Sequence, residues 1–378
     1  GSDSPVEMSV YAIILLERER MDTRIIHDDS ELEQLKEAWQ HLEMSDPDAH
    51  VYNSFVYTQA WLKSRRGDKS VRPFVVLALQ DERILGIAPL FLKMRSRSFL
   101  QWNELQFLNQ GDYHNLLIDR TSSTRPDTII KALMQRVEAE NEAWDRLLFN
   151  YLVPSSEFGS WLFRSDDYNP HFHPLVEIPL LTFQLFTDEK EMERQFPSKV
   201  RKHAARLQKD VGYTFRIVSD IDEALYERIA SIHKTEQQYL REHADRSERY
   251  SLFEDDRRDT YLKELLASDE TQTVLYLIET GAGEIICYRF AFMYRNRIYS
   301  WNSAYNIKYR DYRSSAVLYY EMFRYLYENR NDFVFDFGAG RYPWKFGWAN
   351  GFESAYQLDV WKPRGRQQRL VERLMCLR

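Results

Sequence analysis

Phe333-Val-Phe-Asp-Phe-Gly-Ala-Gly-Arg-Tyr-Pro-Trp-Lys-Phe-Gly-Trp-Ala-Asn350 is the stretch that decides the fold. Strand alternation sets Phe333, Phe335 and Phe337 on one face and Asp336 on the other, at the strand end. Gly338 and Gly340 then allow a tight turn, and Lys345 follows among aromatic residues. A carboxylate beside apolar rings is placed to act as a base or to fix a partner, and the alternative is an Asp that caps the Gly turn.

Working back from this strand, Ser315 to Asn329 predicts a helix that is apolar almost all round, with Val317, Leu318, Tyr319, Tyr320, Met322, Phe323 and Leu326, and is therefore buried. Its start follows the basic loop Lys308-Tyr-Arg-Asp-Tyr-Arg313. Free backbone N–H groups, the Ser314 and Ser315 hydroxyls, the Ala316 backbone and the guanidinium groups of Arg310 and Arg313 together suit a phosphate. A plain serine cap is the simpler alternative. Further back, Thr273–Ile278, Ile285–Tyr294 and Ile298–Ser303 read as three antiparallel strands, and Asp222–Leu240 as a long helix.

Lys199, Lys202, Arg206 and Lys209 fall on one face of a helix, with Val200, Ala204, Leu207 and Val211 on the opposite stripe. Such a face is either solvated or a wall for phosphates. His233 lies on the long helix and reads as a structural histidine.

The first half shows the same rhythm. Phe74–Leu79 and Ile84–Leu92 predict strands around Asp81-Glu-Arg83, the second demoted to an edge or bulged by Pro89. Thr128–Glu140 predicts a helix and Arg146–Tyr151 a strand. Gln110-Gly-Asp-Tyr-His114 gathers a carboxylate, a phenol and an imidazole in one turn. Each half reads strand, turn, strand, polar loop, helix, strand, with negligible residue identity between halves. The expected fold is a duplicated α+β unit, with the boundary between Val176 and Glu193.

The composition agrees with a folded protein. Of 378 residues, 44% are hydrophobic and 29% charged, which supplies a core and excludes disorder as the main state. Aromatic residues reach 15%, enough to line a groove with rings. A net charge of −7 gives no global attraction to nucleic acid, so any basic site is local. Two cysteines, Cys287 and Cys376, make neither a disulfide framework nor a metal cluster, and a reducing cytoplasm is expected. Gly1-Ser2 reads as a cloning remnant. Residues 8–16 read as a strand or short helix, too short for a membrane span. The chain lacks the phosphate-loop, His-Glu-x-x-His and Gly-x-Ser-x-Gly motifs, which disfavours the familiar nucleotide hydrolases, zinc proteases and serine hydrolases.

The order Arg72-Pro-Phe-Val-Val, Gly86-Ile-Ala-Pro-Leu, Gly111-Asp-Tyr, Lys199-Val-Arg-Lys and Asp336-Phe-Gly…Lys345 resembles the two-lobed branch of the GNAT superfamily. This branch comprises the cellulose-biosynthesis-associated, CelD-like acetyltransferases and is related to the Fem peptidyltransferases. The resemblance spans roughly residues 50 to 362. The family's Pro-Gly before the long helix is absent, Tyr312-Arg-Ser-Ser-Ala316 occupying the place of that loop, and Trp344 stands where Tyr is common.

The resemblance implies tandem GNAT-like lobes, each a mixed, mostly antiparallel sheet flanked by helices. An extension would occupy residues 1–49, the N-terminal lobe 50–185, the donor-binding C-terminal lobe 186–365 and a tail 366–378. It implies a cytoplasmic N-acyltransferase with acyl-CoA as co-substrate, no resident cofactor and no metal, acting on an amine of a small molecule, sugar or peptide. Asp112, Asp336 and Lys345 are the catalytic candidates. Lys345 is expected to stabilise charge developing on the thioester or a donor phosphate, and Asp112 to orient the acceptor amine. Arg310, Arg313, Ser314, Ser315 and Ala316 are expected to hold the donor, and Tyr113, His114, Trp301, Tyr342 and Trp344 the acceptor. Two alternatives stand beside this: aminoacyl transfer from a charged tRNA, and a non-catalytic GNAT-like binding protein.

Overall fold

The computed structural model describes residues 21–98, 100–109, 111–270, 272–362 and 366–376. The expected element at residues 8–16 and Gln110 lie outside them. By contact the chain divides into two units, one of residues 1–55, 67–173 and 356–378, the other of 56–66 and 174–355. The sequence reading has contiguous lobes. In the structure, a short helical segment and the C-terminal strand each leave the lobe that their place in the chain would assign them.

The first unit holds strands β1 (Asp22–Ile26), β2 (Val71–Pro73), β3 (Val75–Gln80), β4 (Arg83–Ala88), β5 (Leu90–Arg97), β6 (Leu100–Phe107), β7 (Leu117–Ile118) and β8 (Arg146–Leu152). Helices α1 (Lys36–Ser45) and α2 (Pro126–Ala139) belong to it as well. One sheet runs β1-β3-β4-β7. Pro89, without an N–H to donate, divides the expected strand 84–92 in two: β4 pairs with β3, whereas β5 pairs with β6 and β2. The predicted edge or bulge is therefore a change of sheet. α2 buries Ile129, Ile130, Leu133, Met134 and Val137 in a core shared with Val76, Ala78 and Leu85. Gly86 lets that helix approach, since a Cβ there would sit 2.5 Å from Ile129 Cγ2.

The second unit contains most of β9 (Phe172–Thr182), then β10 (Thr214–Val218), β11 (Thr273–Glu279), β12 (Ile285–Tyr294), β13 (Arg297–Tyr305), β14 (Val334–Asp336) and the start of β15 (Gly351–Trp361). Strands β10 to β13 pair antiparallel in sequence order. Helix α3 (Val200–Asp210) is the expected basic helix and α4 (Glu223–His243) the expected long one. Helix α5 (Ser314–Asn329) carries the chain from β13 to β14, which pair in parallel. This crossover is why α5 is apolar nearly all round: Val317, Leu318, Tyr319, Met322, Phe323 and Leu326 join Phe333, Phe335 and Phe337 in one core. Val200, Ala204 and Leu207 of α3 cover its other side. A second core, on α4, gathers Tyr226, Ile229, Leu275, Tyr288 and Phe290. The α+β architecture with mixed, mostly antiparallel sheets is the one expected.

Candidate functional site

The site grows out of the β13–α5–β14 crossover. β13 and β14 pair only at Arg297↔Val334, Ile298↔Phe335 and Tyr299↔Asp336. β13 then runs on to Tyr305, while β14 stops and the chain turns at Gly338 (φ 74°) and Gly340 (φ 123°). The departing chain stays with β9, through Phe337 N–H to the Pro179 carbonyl and Gly340 N–H to that of Glu177, each at 3.1 Å. Two parallel strands thus part at their C-terminal ends, beside the N-terminus of the helix that links them. In open sheets such a gap is where ligands bind.

A cavity of about 390 Å³ lies here, lined by Arg289, Ser303, Tyr305, Arg310, Arg313, Ser314, Ser315, Ala316, Tyr319, Trp344 and Trp348. All five residues expected to hold the donor are among them, and so is Trp344. Arg313 precedes α5 at φ 55° and ψ 41°, a left-handed conformation that costs a non-glycine residue about 1–2 kcal/mol. Its carbonyl accepts from the N–H groups of Ala316 (2.9 Å) and Val317 (3.2 Å), and no side chain caps the helix. The Ser314 and Ser315 N–H groups come before that first turn closes. Ser314 is buried, and its Oγ has no hydrogen-bond partner. A buried hydroxyl in that state costs about 1–3 kcal/mol. The plain serine cap considered from sequence is absent.

The surroundings are cationic. The His203 imidazole of α3 is held below its ordinary range, first by burial and then by repulsion from Arg313, Lys199 and Arg206. Arg206 also lies over the Tyr312 ring at 4.8 Å, and Arg310 over Tyr239 at 5.7 Å. The basic face of α3 therefore adjoins the start of α5. Positive charge gathered at a helix N-terminus adds to the field of the helix itself.

Asp336 and Lys345 come together at the turn after β14 and are not among the lining residues. Asp336 is 1% exposed; its Oδ1 accepts from the Gly338 N–H at 2.8 Å and its Oδ2 from Arg297 at 3.4 Å. The Lys345 ammonium donates to the carbonyls of Gly338 (2.8 Å) and Ala339 (2.9 Å). Lys345 sits in the short helix α6 (Pro343–Phe346) with Trp344, which lines the cavity. Tyr342 is exposed, 5.3 Å beneath the Lys345 ammonium.

Trp301 is placed elsewhere. β12 and β13 slip register between Phe290↔Asn302 and Ala291↔Ser300, which makes Trp301 the extra residue of a bulge. Its ring packs on Phe290 and Phe292, next to the α4 core.

Asp112, Tyr113 and His114 belong to the first unit. Tyr113 is buried and stacks on Tyr52. Nδ1 of His114 meets the Asn150 carbonyl at 2.9 Å, and its ring stacks on Phe107. Burial pushes the His114 imidazole down to about 4. Tyr151 is raised, by burial first and then by the charge of Asp112.

Sequence reasoning missed Arg289, Ser303, Tyr305, Tyr319 and Trp348. One signal was available, since Arg289 is the single charged residue in the apolar run Ile285–Tyr294. Also missed was the buried Glu236 of α4. Its Oε1 accepts from the Tyr305 N–H at 3.3 Å, and burial pushes its carboxyl up to about 7.

Residues 194–346 match the family model described as an acetyltransferase (GNAT) domain. Among solved structures the chain is similar to FemX, at 10% identity and TM-score 0.57, covering 93% of this chain and 99% of that one. It is also similar to L-PGS from Bacillus licheniformis, at 14% identity and TM-score 0.52, covering 92% and 96%. A third is the C-terminal domain (DUF2156) of a putative lysylphosphatidylglycerol synthetase from Agrobacterium fabrum, at 11% identity and TM-score 0.53, covering 91% and 96%. At such identities the likeness is one of fold, and it extends over both units. No curated protein matches the chain by sequence. Among the described residues, no helix is long and apolar enough to cross a membrane, and no cluster of side chains suits a metal ion.

Proposed function

We propose that the protein is an N-acyltransferase that takes its acyl group from an acyl-CoA bound in the cavity at the start of α5. The observation that carries this reading is the buried Ser314 hydroxyl, unpartnered at an uncapped helix N-terminus whose approach is lined by Arg310 and Arg313. At such a site phosphate oxygens would accept from the hydroxyl, the N–H groups ahead of the first helical turn and the guanidinium groups together.

With the phosphates there, the remainder of the donor has the gap between β13 and β14 to enter. Among the described residues β14 pairs with β13 only as far as Tyr299, so a thioester carbonyl entering beyond it would meet a strand edge that β14 leaves open, where a backbone N–H could polarise it. The acceptor amine attacks that carbon once it has lost a proton, the C–N bond forms, and the thiolate leaves with the electron pair of the broken C–S bond. Asp336 and Lys345 are assigned to holding the turn that shapes this gap. Asp112, Tyr113 and His114 lie in the first unit, and this reading gives them no step.

Calorimetric titration with acetyl-CoA and longer acyl-CoAs tests the donor. Binding by at least one of them is expected, and no heat from any of them overturns the assignment.

A further inference from the structure

One wall of the cavity carries a cation that the phosphate reading does not use. Arg289 of β12 is 7% exposed. It donates to the hydroxyl oxygens of Ser300 at 2.6 Å and Ser303 at 3.1 Å, and its guanidinium carbon lies 4.1 Å from the centre of the Tyr319 ring. Its Nε is buried without a hydrogen-bond partner. Among the described residues no carboxylate reaches ion-pair distance of it. The acidic group whose charge it feels is Glu236, engaged instead with the Tyr305 N–H and the Gln237 amide.

Arg146 in the first unit shows the contrast. It is 8% exposed, and it is clamped between Glu104 at 3.0 Å and Asp359 at 2.8 Å. A guanidinium cannot shed its proton, so burial without a counter-charge is costly unless an anion arrives. Two neutral hydroxyls and a ring face orient Arg289 without neutralising it. Because Arg289 lines the cavity, the missing counter-charge has a route to it.

We infer that Arg289 is a second oxyanion site of this cavity, apart from the start of α5, that takes a carboxylate or phosphate group of the bound ligand. Two sources supply that chemistry: the far carboxylate of a dicarboxylic acyl chain, or the donor's own pyrophosphate. Only the identity of the ligand rests on the acyl-CoA reading.

The test uses the full chain labelled with ¹⁵N-arginine. The Nε–H resonance of Arg289 is assigned by its loss in Arg289→Lys and followed during titration with acetyl-CoA, succinyl-CoA, succinate and inorganic pyrophosphate. Movement is expected. A shift with succinyl-CoA and succinate alone assigns the acyl carboxylate, and a shift with both thioesters and pyrophosphate assigns the phosphates. Arg289→Gln should then lose at least tenfold in affinity for the ligand that moved the resonance. If calorimetry detects acyl-CoA binding while the resonance stays still, the inference is overturned. If neither thioester binds, the donor reading falls, and succinate and pyrophosphate decide Arg289 by themselves: movement keeps the site, and stillness removes it. The wild-type titration holds its force should the Gln variant fail to fold.

Discussion

The Lys345 ammonium donates to the carbonyl of Gly338 at 2.8 Å, seven residues back, and so ties helix α6 to the turn that ends β14. Trp344 rides on that helix and faces the cavity. Lys345→Ala should therefore act first on stability, by roughly 3 kcal/mol, since charge-assisted hydrogen bonds to two carbonyls are lost in a buried place. Acetyl-CoA affinity should fall by about tenfold or less, through Trp344. Thermal melting and calorimetry read the two effects separately. A variant that melts like wild type yet has lost all turnover would return Lys345 to the catalytic role expected from sequence.

Ser314 gives the opposite pattern. Its hydroxyl is buried without a partner, so Ser314→Ala removes an unsatisfied group and should leave the ligand-free protein as stable as wild type or slightly more so. The same change removes a donor to the phosphates and should weaken acetyl-CoA about tenfold. Loss of stability with unchanged affinity would mark the serine as an ordinary part of the helix start.

The fold was legible where a single period dominates. The β11–β12–β13 meander, the buried α5 and the basic α3 all follow from local pattern, because each buries one defined face. That Arg310, Arg313, Ser314, Ser315 and Ala316 share one cavity was legible for the same reason: they are close in sequence, and a helix start gathers such residues. Arg289 and Trp348 come to the cavity from other elements, and no local spacing joins them to the helix start, whereas Tyr319 lies on α5 one turn after Ser315. Trp301 falls at a bulge between β12 and β13, which nothing in the local sequence pattern marks. Pro89 was read as a defect within one strand because sequence has no means of distinguishing a bulge from a change of sheet.

Gly86→Ala tests the first unit's core. The added methyl would lie 2.5 Å from Ile129 Cγ2 and 3.1 Å from Leu133 Cδ1, both on α2. Helix and strand have to separate, and overpacking of this kind costs about 1–3 kcal/mol. A lowered melting temperature with acetyl-CoA affinity kept in the folded fraction is expected. An unchanged melting curve would mean that α2 does not seat on β4 as described.

The exposed cations of α3 separate the two donor chemistries. Lys202→Glu with Lys209→Glu reverses charge on the solvent face and should leave acetyl-CoA affinity within about twofold at physiological salt, where the Debye length is about 8 Å. Wild-type tRNA binding is expected to be weak. Tight tRNA binding that falls steeply with salt and vanishes in the double variant would favour the aminoacyl-tRNA donor.

Glu236 and His233, one turn apart on α4, set opposing pH dependences. Burial pushes the Glu236 carboxyl from 4.5 up to about 7. Its protonated form is favoured in the fold, so the stability it contributes is full below about pH 4.5 and is lost as pH rises through 7. Burial pushes the His233 imidazole from 6.5 down to about 4, with the charge of Glu254 opposing this and that of Arg249 adding to it. Its neutral form is favoured, so its contribution is present above pH 6.5 and is lost as pH falls towards 4. Between about pH 4.5 and 6.5 the two slopes oppose each other. Glu236→Gln keeps the shape and removes one slope. At about 1.4 kcal/mol per pH unit across its window, the variant should exceed wild type by on the order of 3 kcal/mol at pH 8, with the difference closing towards pH 4.5. Urea unfolding at a series of pH values checks it, and a difference that stays constant with pH would show that Glu236 binds its proton equally in the folded and unfolded states.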